Sequence, residues 1–266
     1  MSRWKAAAIH LSISAAIGLV AAILIFGVWY PPPYSQATGA TELVVLLLGV
    51  DLTLGPLLTL VVFKTGKKSL RFDLSVIATL QACAFLYGMS VVVRARPAFI
   101  VGAVDRFVVV AANELDPEDL AKGRRPEFRS VPWTGPRLVG AELPTDPAKR
   151  DRLLFSGLSG KDVEKYPEYY VTYREAAPAL LERARPVDQL HFSDPAEQEI
   201  LDRAIAEATE ARGRLLYLPV MARRGSMTML LDASSGEPLK AVALDPWPDD
   251  EIKQARHGSD TPPKHD

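Results

Sequence analysis

The sequence predicts a membrane protein in which three transmembrane α-helices precede an α+β domain with a small, mainly antiparallel sheet. Three apolar stretches, at about residues 6–29, 43–63 and 74–93, each have about twenty residues or more, the length that crosses a ~30 Å hydrocarbon layer. After Arg96 the composition changes, because charged residues and prolines then recur every few positions. We therefore predict an anchor over residues 1–96, a folded domain over residues 97–253 and a disordered polar tail over residues 254–266.

The distribution of lysine and arginine predicts the orientation of the three spans. Short loops rich in these residues stay in the cytoplasm, because positive charge resists translocation. Basic residues precede the first span and fill the loop between the second and third, whereas residues 30–41 carry no charge. The N-terminus is therefore predicted inside and the domain from Pro97 outside, although Arg94 and Arg96 oppose this orientation. A cleaved signal peptide is disfavoured, because the first apolar stretch exceeds the usual ~7–15 residues.

Charge and composition disfavour several functional classes. From Pro97 onward the chain has 23 Lys+Arg and 29 Asp+Glu, a balance of −6, whereas residues 1–96 carry +5. Nucleic-acid binding is disfavoured, because phosphate binding needs a concentrated basic surface. The single cysteine, Cys83, lies in the third span, and only His191 of the four histidines lies in the expected domain. We expect no disulfide, metal site or cofactor, and no enzyme activity, since nucleophile and phosphate-binding motifs do not occur.

Asp–Pro pairs predict where the helices of the domain begin, because Asp caps free N–H groups and Pro fits the first helical position. The predicted helices run from Pro117 towards Gly123, from Pro147 towards Gly157, and from Pro195 to Arg212 before a stop at Gly213. Strand patterns occur at Arg106–Ala111, Arg214–Ala222, Met227–Asp232 and Leu239–Leu244. The last three predict an antiparallel meander that the early strand joins, and the pattern of a nucleotide-binding fold is absent.

Asp51 is the most unusual residue of the predicted spans, since it lies near the middle of the second one. A carboxylate there costs at least ~2.5–3.5 kcal/mol by insertion scales, so we expect it to face the helix bundle or water and to have a partner. Gly55 and Pro56 follow one turn later and favour close helix contact, and the hydroxyl of Tyr87 is a candidate donor, since it is expected at a similar depth. A partner-docking or helix-locking role is favoured over a structural hydrogen bond alone, and both over catalysis. An intramembrane aspartyl protease would need a second facing carboxylate.

Four tyrosines lie close together in the segment GKDVEKYPEYYVTY. They are Tyr166, Tyr169, Tyr170 and Tyr173. Tyrosine rings bury large area while their hydroxyls stay hydrated, so the cluster is either a partner surface or a set of rings of which about half pack into the domain.

Several motifs resemble the TfpX/TfpZ type IV pilin accessory family. They are YPPPY at residues 30–34, GVDLTLGPLLTLVVFK at 49–64, the pattern of Asp73, Leu74, Gln81, Tyr87 and Gly88, and ARPAFIVGAVDRFVVV at 95–110. The likeness covers nearly the first 115 residues and continues more loosely through WTGP at 133–136, the tyrosine segment and RLLYLPV at 214–220.

The resemblance implies a multi-pass protein of the bacterial inner membrane, with its N-terminus cytoplasmic and its domain periplasmic. It implies a non-catalytic chaperone or assembly modulator of type IV pilin, whose partners are the cognate major pilin, the lipid bilayer and other pilus assembly proteins. In this interpretation Asp51, Gly55 and Pro56 dock the pilin helix. The juxtamembrane residues Arg94, Arg96, Asp105 and Arg106 then contact the pilin where its head meets the membrane.

Two alternatives remain open at this point. The juxtamembrane residues are equally well explained as a structural collar, in which the arginines meet lipid phosphates and Asp105 pairs with a neighbouring arginine. The whole chain could instead be a membrane-tethered periplasmic ligand-binding protein or sensor, although a sensor needs a cytoplasmic output element and the expected topology exposes little there. An intramembrane enzyme is disfavoured, because Asp51 is its one candidate titratable group.

Overall fold

The computed structural model describes residues 2–247, which form two compact units. Unit 1 comprises the chain up to Ala98 together with Ala111–Asp116 and Val131–Arg137. Unit 2 comprises Phe99–Val110, Pro117–Ser130 and the chain from Leu138 onward. The boundary expected after residue 96 stays a prediction, and the tail predicted as disordered, residues 254–266, lies outside the described residues.

Unit 1 is built on three helices that are long and apolar enough to cross a membrane. Helix α1, Arg3–Leu24, continues as a π-helical segment, Ile25–Trp29, and the short helix α2, Tyr34–Ala37, follows it. The other two long helices are α3, Ala40–Val62, and α4, Leu70–Arg94. All three expected apolar spans are therefore helical. Gly39 directly precedes α3 and has φ 78°, a backbone conformation that glycine adopts without steric cost.

Small side chains bring α1 against α3. The buried face of α1 consists of Ala6, Ala7, Ser14, Gly18 and Ala21. A Cβ at Gly18 would lie 3.3 Å from Leu48 Cδ2 of α3, so the glycine permits a close approach of the two helices. His10 Nδ1 and Thr59 Oγ1, 2.6 Å apart, add an interhelical hydrogen bond.

Unit 2 contains most of an eight-stranded sheet. Its strands are β1 Pro97–Ala103, β2 Arg106–Ala111, β3 Arg137–Ala141, β4 Tyr170–Thr172, β5 Arg185–Pro186, β6 Leu215–Met221, β7 Ser226–Asp232 and β8 Pro238–Val242. The order is β4-β3-β1-β2-β6-β7-β8, and β5 also pairs with β6.

The sheet corrects the prediction of a small, mainly antiparallel one. It is mixed, because β2 pairs in parallel with β6, with Phe107 opposite Val220, and it curls into a half-barrel. A parallel neighbour requires a long crossover, and the chain between these two strands supplies it with four helices. The predicted meander is confirmed as antiparallel β6-β7-β8, and the predicted joining of the early strand is confirmed by the pairing of β2 with β6.

Three of the four α-helices in the described part of unit 2 follow the Asp–Pro signals, and the third of them along the chain, which begins after Thr172, was not predicted. They are α5 Pro117–Ala121, α6 Pro147–Leu158, α7 Tyr173–Leu181 and α8 Pro195–Arg212. Asp146 and Asp194 each accept a hydrogen bond at 2.9 Å from the backbone N–H two residues on, which caps α6 and α8 as predicted. Helix α8 buries Leu201, Ala204 and Ala208 on the meander, whereas the adjacent Ile200 is 48% exposed.

Candidate functional site

The carboxylate of Asp51 accepts a hydrogen bond from a side chain of the neighbouring helix α4. Gln81 Nε2 of α4 donates to Asp51 Oδ1 at 3.0 Å and to the Asp51 backbone carbonyl at 3.3 Å. The expectation that Tyr87 is the donor is wrong, because α4 begins at Leu70, about one turn before the predicted span, which brings Gln81 to the depth of Asp51. The Tyr87 side chain is instead 73% exposed.

Gly55 makes the contact between Asp51 and Gln81 possible. A Cβ at residue 55 would lie 2.0 Å from Gln81 Nε2 and 2.5 Å from Gln81 Oε1, so only glycine leaves room for this amide. Pro56 lies inside α3 and is partly buried. Glycine serves the same purpose at residue 88, where a Cβ would lie 2.5 Å from Leu47 Cδ1. Helices α3 and α4 therefore approach closely through two glycines, one on each helix.

An open groove of about 460 Å³ runs along α3 and α4 beside this contact. From α3 it is lined by Leu43, Leu46, Leu47, Val50, Asp51, Leu54 and Leu58, and from α4 by Leu80, Gln81, Ala84, Phe85, Tyr87, Gly88, Val91 and Val92. Asp51 is the charged residue of this lining. We call it the Asp51 groove.

The Asp51 groove also contains an unsatisfied polar atom. Gln81 Oε1 is buried and has no hydrogen-bond partner among residues 2–247. Leu54, which lies one turn beyond Val50, is 50% exposed, and Leu46 is 65% exposed. The groove therefore combines an apolar wall with one carboxylate and one amide at mid-length, a composition suited to an apolar helix that carries a polar group.

Arg96 belongs to a cluster of aromatic and backbone groups in unit 1. Its guanidinium donates to the carbonyls of Val93 at 2.7 Å and Pro132 at 3.3 Å and lies 4.3 Å from the centre of the Trp133 ring. Trp29 Nε1 in turn donates to the Trp133 carbonyl at 3.0 Å. Arg96 is only 5% exposed, and this burial lowers the pKa of its guanidinium. Arg96 therefore contacts the chain itself, whereas the collar alternative expected lipid phosphate as its partner.

The remaining predicted residues occupy separate places. Arg94 is exposed in the last turn of α4. Asp105 and Arg106 lie at the turn between β1 and β2, where Arg106 Nε donates to Asp105 Oδ1 at 2.8 Å. This ion pair, which the collar alternative predicted, raises the pKa of Arg106. Arg96 precedes β1 and Asp105 follows it, so a seven-residue strand separates them along the chain.

The turn that carries Asp105 has an unusual backbone. Val104 adopts φ 59° and is 51% exposed. A β-branched residue in this region is strained, because its Cβ crowds the backbone. Such strain is typical of sites under functional constraint. Sequence reasoning missed Val104, although ARPAFIVGAVDRFVVV was among the motifs that carried the family resemblance.

The tyrosine segment contributes mainly to the core. Tyr169 and Tyr170 are buried, which confirms the packing alternative for half of the four rings. Tyr170 packs edge-on against Phe99 and Phe128, and its hydroxyl donates to the Glu164 carbonyl. Burial raises the pKa of Tyr173, whose hydroxyl donates to the Gly236 carbonyl.

An ionic cluster next to Tyr166 was not anticipated. Asp119 accepts from Lys122 at 2.7 Å and from Lys161 at 2.6 Å, and Lys161 lies 4.9 Å from the centre of the Tyr166 ring. Burial opposes ionisation of Asp119, but the two lysines lower its pKa overall. The three-residue spacing of Asp119 and Lys122 could have indicated the first pair, whereas Lys161 is too distant in the sequence.

Within residues 2–247, no group of three or more His, Cys, Asp or Glu side chains could hold a metal ion. The expected absence of enzyme activity and of cofactors stays a prediction.

Comparisons with known proteins point to one group. The profile of the fimbrial assembly protein FimB matches residues 1–39. A fimbrial assembly protein of serogroup I from Dichelobacter nodosus is 28% identical over 244 residues, which cover 91% of this chain and 95% of that protein. The protein of serogroups C1 and C2 from the same organism is 35% identical over 113 residues, 42% of this chain and 86% of that protein. No solved structure matches the chain.

Proposed function

This chain belongs to the FimB family of fimbrial assembly proteins, and we propose that it is a non-catalytic accessory protein of type IV fimbriae. Its partner is the cognate major pilin, on which it acts as an assembly chaperone or modulator. The relatives support a role in fimbrial assembly, and the narrower TfpX/TfpZ resemblance supports pilin as the partner. The proposed location is the inner membrane, with the N-terminus in the cytoplasm and unit 2 in the periplasm, where other pilus assembly proteins are within reach.

The Asp51 groove is the observation that carries this proposal. Its lining on α3 extends from Leu43 to Leu58, about 22 Å of helix, enough to hold several turns of a partner helix. Inside a bilayer an apolar groove alone gives little preference for protein over lipid, because lipid tails are equally apolar. Asp51 changes that balance, since a donor on a partner helix stabilises a carboxylate that lipid cannot solvate.

The proposal is tested by photocrosslinking in intact cells that assemble fimbriae. A photoreactive residue at Leu54, which lines the groove, is compared with one at Leu57, which lies on the same helix outside this lining. The two positions have similar exposure, 50% and 55%, so their reactivity towards lipid is matched. We expect pilin to be captured from position 54 and not from position 57.

Capture from position 54 should fall when Asp51→Ala is added, because the carboxylate is the proposed polar contact. Equal capture from both positions, or none from position 54 in cells that carry fimbriae and normal amounts of the protein, would contradict the proposal.

A further inference from the structure

Helix α6 of unit 2 presents large apolar side chains to solvent. Leu154, Phe155 and Leu158 are 67%, 72% and 86% exposed, whereas the neighbouring Leu153 is 6% exposed and packs into the unit. At 100° per residue, the three exposed side chains lie within an arc of about 100° on one side of the helix. We call these three residues the α6 face. Contiguous exposed apolar surface of this kind marks a binding surface.

Basic residues border the α6 face on both sides. On the helical wheel Arg150 lies about 40° before Leu154, and Arg152 about 60° beyond Phe155, by the same 100° spacing. Both arginines are exposed, and Lys149 is exposed as well. Asp151 shares the side of the α6 face but lies one turn nearer the N-terminus, so the apolar patch occupies the C-terminal half of α6. The segment is thus locally cationic in a domain whose balance from Pro97 onward is −6.

We propose that the α6 face binds the surface of an anionic lipid bilayer, with the three apolar side chains among the acyl chains and Arg150 and Arg152 at the phosphates. An apolar arc with basic residues on its borders is the pattern of helices that lie in the interface of a bilayer. Long arginine side chains can keep their charge at the headgroups while their stems cover apolar surface.

The occupant is a bilayer rather than a protein for a second reason. Unit 2 is covalently joined to unit 1, and the three long helices of unit 1 are long enough to cross a membrane. Tethering of this kind raises the effective concentration of lipid at α6, so a small apolar face suffices for contact. The inference therefore rests on the proposed membrane location, and the contact would be a second attachment of unit 2 to the membrane.

The test uses the full-length protein in nanodiscs and a nitroxide attached at position 158. Cys83 is first replaced by alanine, because it is exposed and would also be labelled. Leu158→Cys keeps Phe155 in place, and Ile200→Cys, an exposed apolar position on α8, is the matched control. In nanodiscs that contain phosphatidylglycerol we expect the ratio of collision rates with oxygen and with a water-soluble nickel chelate to be several-fold higher at position 158 than at position 200.

Two further variants separate the contribution of the apolar side chains from that of the arginines. Phe155→Glu, at a side chain too exposed to support the fold, should return position 158 to the ratio of position 200. Replacing both Arg150 and Arg152 by glutamine should lower the collision-rate ratio at position 158 in anionic nanodiscs to the value found in purely zwitterionic ones. Equal ratios at positions 158 and 200 in anionic nanodiscs would overturn the inference, and so would protection of position 158 that arises only when pilin is added. Failure of the protein to enter nanodiscs would instead contradict the proposed membrane location.

Discussion

At the scale of single residues, Asp51 and Gln81 show how one polar pair can both join two helices and remain open to a partner. A carboxylate has two oxygens and several lone pairs, and the Gln81 amide uses Oδ1. The second oxygen of the carboxylate is the acceptor left for a partner, since the unpartnered Gln81 Oε1 is buried. A helix with a donor at this depth would satisfy it.

Substitutions of Asp51 separate these two roles. Asp51→Asn keeps an acceptor for Gln81 and for a partner, whereas Asp51→Ala removes both. We expect Ala to weaken partner binding by about 1–2 kcal/mol, roughly tenfold, and Asn by less, because a neutral acceptor forms weaker hydrogen bonds. The measurement is the amount of surface fimbriae relative to the abundance of this protein in the membrane.

Thr53→Ala is the control, since Thr53 Oγ1 donates to the Gly49 carbonyl of its own helix. Loss of protein and fimbriae in the same proportion in Asp51→Ala would mean that Asp51 only holds α3 and α4 together.

Asp232 gives a second prediction at this scale, for pH dependence. The Ser234 hydroxyl and the Ser235 backbone N–H, 2.8 Å from Oδ1, lower the pKa of Asp232 to about 2. Because the folded pKa lies below the unfolded value of about 3.9, the stabilisation is complete above the unfolded pKa and is lost as pH falls towards 2. Asp232→Ala should therefore destabilise unit 2 at pH 7 and lower its thermal midpoint there.

The measurement is the midpoint of thermal unfolding of the detergent-solubilised protein between pH 7 and pH 2. The difference between Asp232→Ala and the wild type should shrink steadily below about pH 4. A difference that is constant with pH would show that the Asp232 carboxylate acts only as a packing group.

At the scale of elements, glycine positions decide how closely α3 and α4 pack. Gly55→Ala would place a methyl group 2.0 Å from Gln81 Nε2, so the amide must leave Asp51 or the helices must separate. Overpacking of this kind costs about 1–3 kcal/mol. We expect Gly55→Ala to lower the thermal midpoint and to reduce fimbriae.

Gly49→Ala is the matched control, because it lies in the same helix and a Cβ there has no neighbouring atom within 4 Å. Alanine should be neutral or slightly stabilising at that position, by up to about 1 kcal/mol, because it has the higher helix propensity. Equal effects of the two substitutions would contradict close packing at Gly55.

The elements that sequence reasoning identified are those with strong local signals. Helices α5, α6 and α8 follow Asp–Pro pairs, and β6 to β8 are separated by turn residues. Strand β1 was missed because it is buried on both faces, so its apolar run shows no alternation. Strands β4 and β5 have three and two residues, too few to show any period. The pairing of Asp51 was misassigned for a related reason, since the edge of an apolar stretch fixes helix depth only to within about a turn.

At the scale of the whole molecule, charge is divided between the two ends of the chain. Residues 1–96 carry +5 and the rest −6, and Lys64, Lys67, Lys68 and Arg71 all lie at or near the connection between α3 and α4. The positive-inside rule assigns that connection to the cytoplasm. In the proposed topology, three crossings then put unit 2 on the opposite side of the membrane. Contact of unit 2 with the exported head of a pilin requires this arrangement.

Reporter fusions test the arrangement directly. Alkaline phosphatase fused after Asp266 should be active, because the enzyme folds only outside the cytoplasm, and the same enzyme fused at Gly66 should be inactive. Replacing the four basic residues at 64, 67, 68 and 71 by glutamine should reduce the difference in phosphatase activity between the two fusions. The positive charge of the loop, which orients the spans, is then lost. A phosphatase that is inactive after Asp266 and active at Gly66 would place unit 2 in the cytoplasm, where it could not meet the exported head of a pilin, and the proposed function would fail with it.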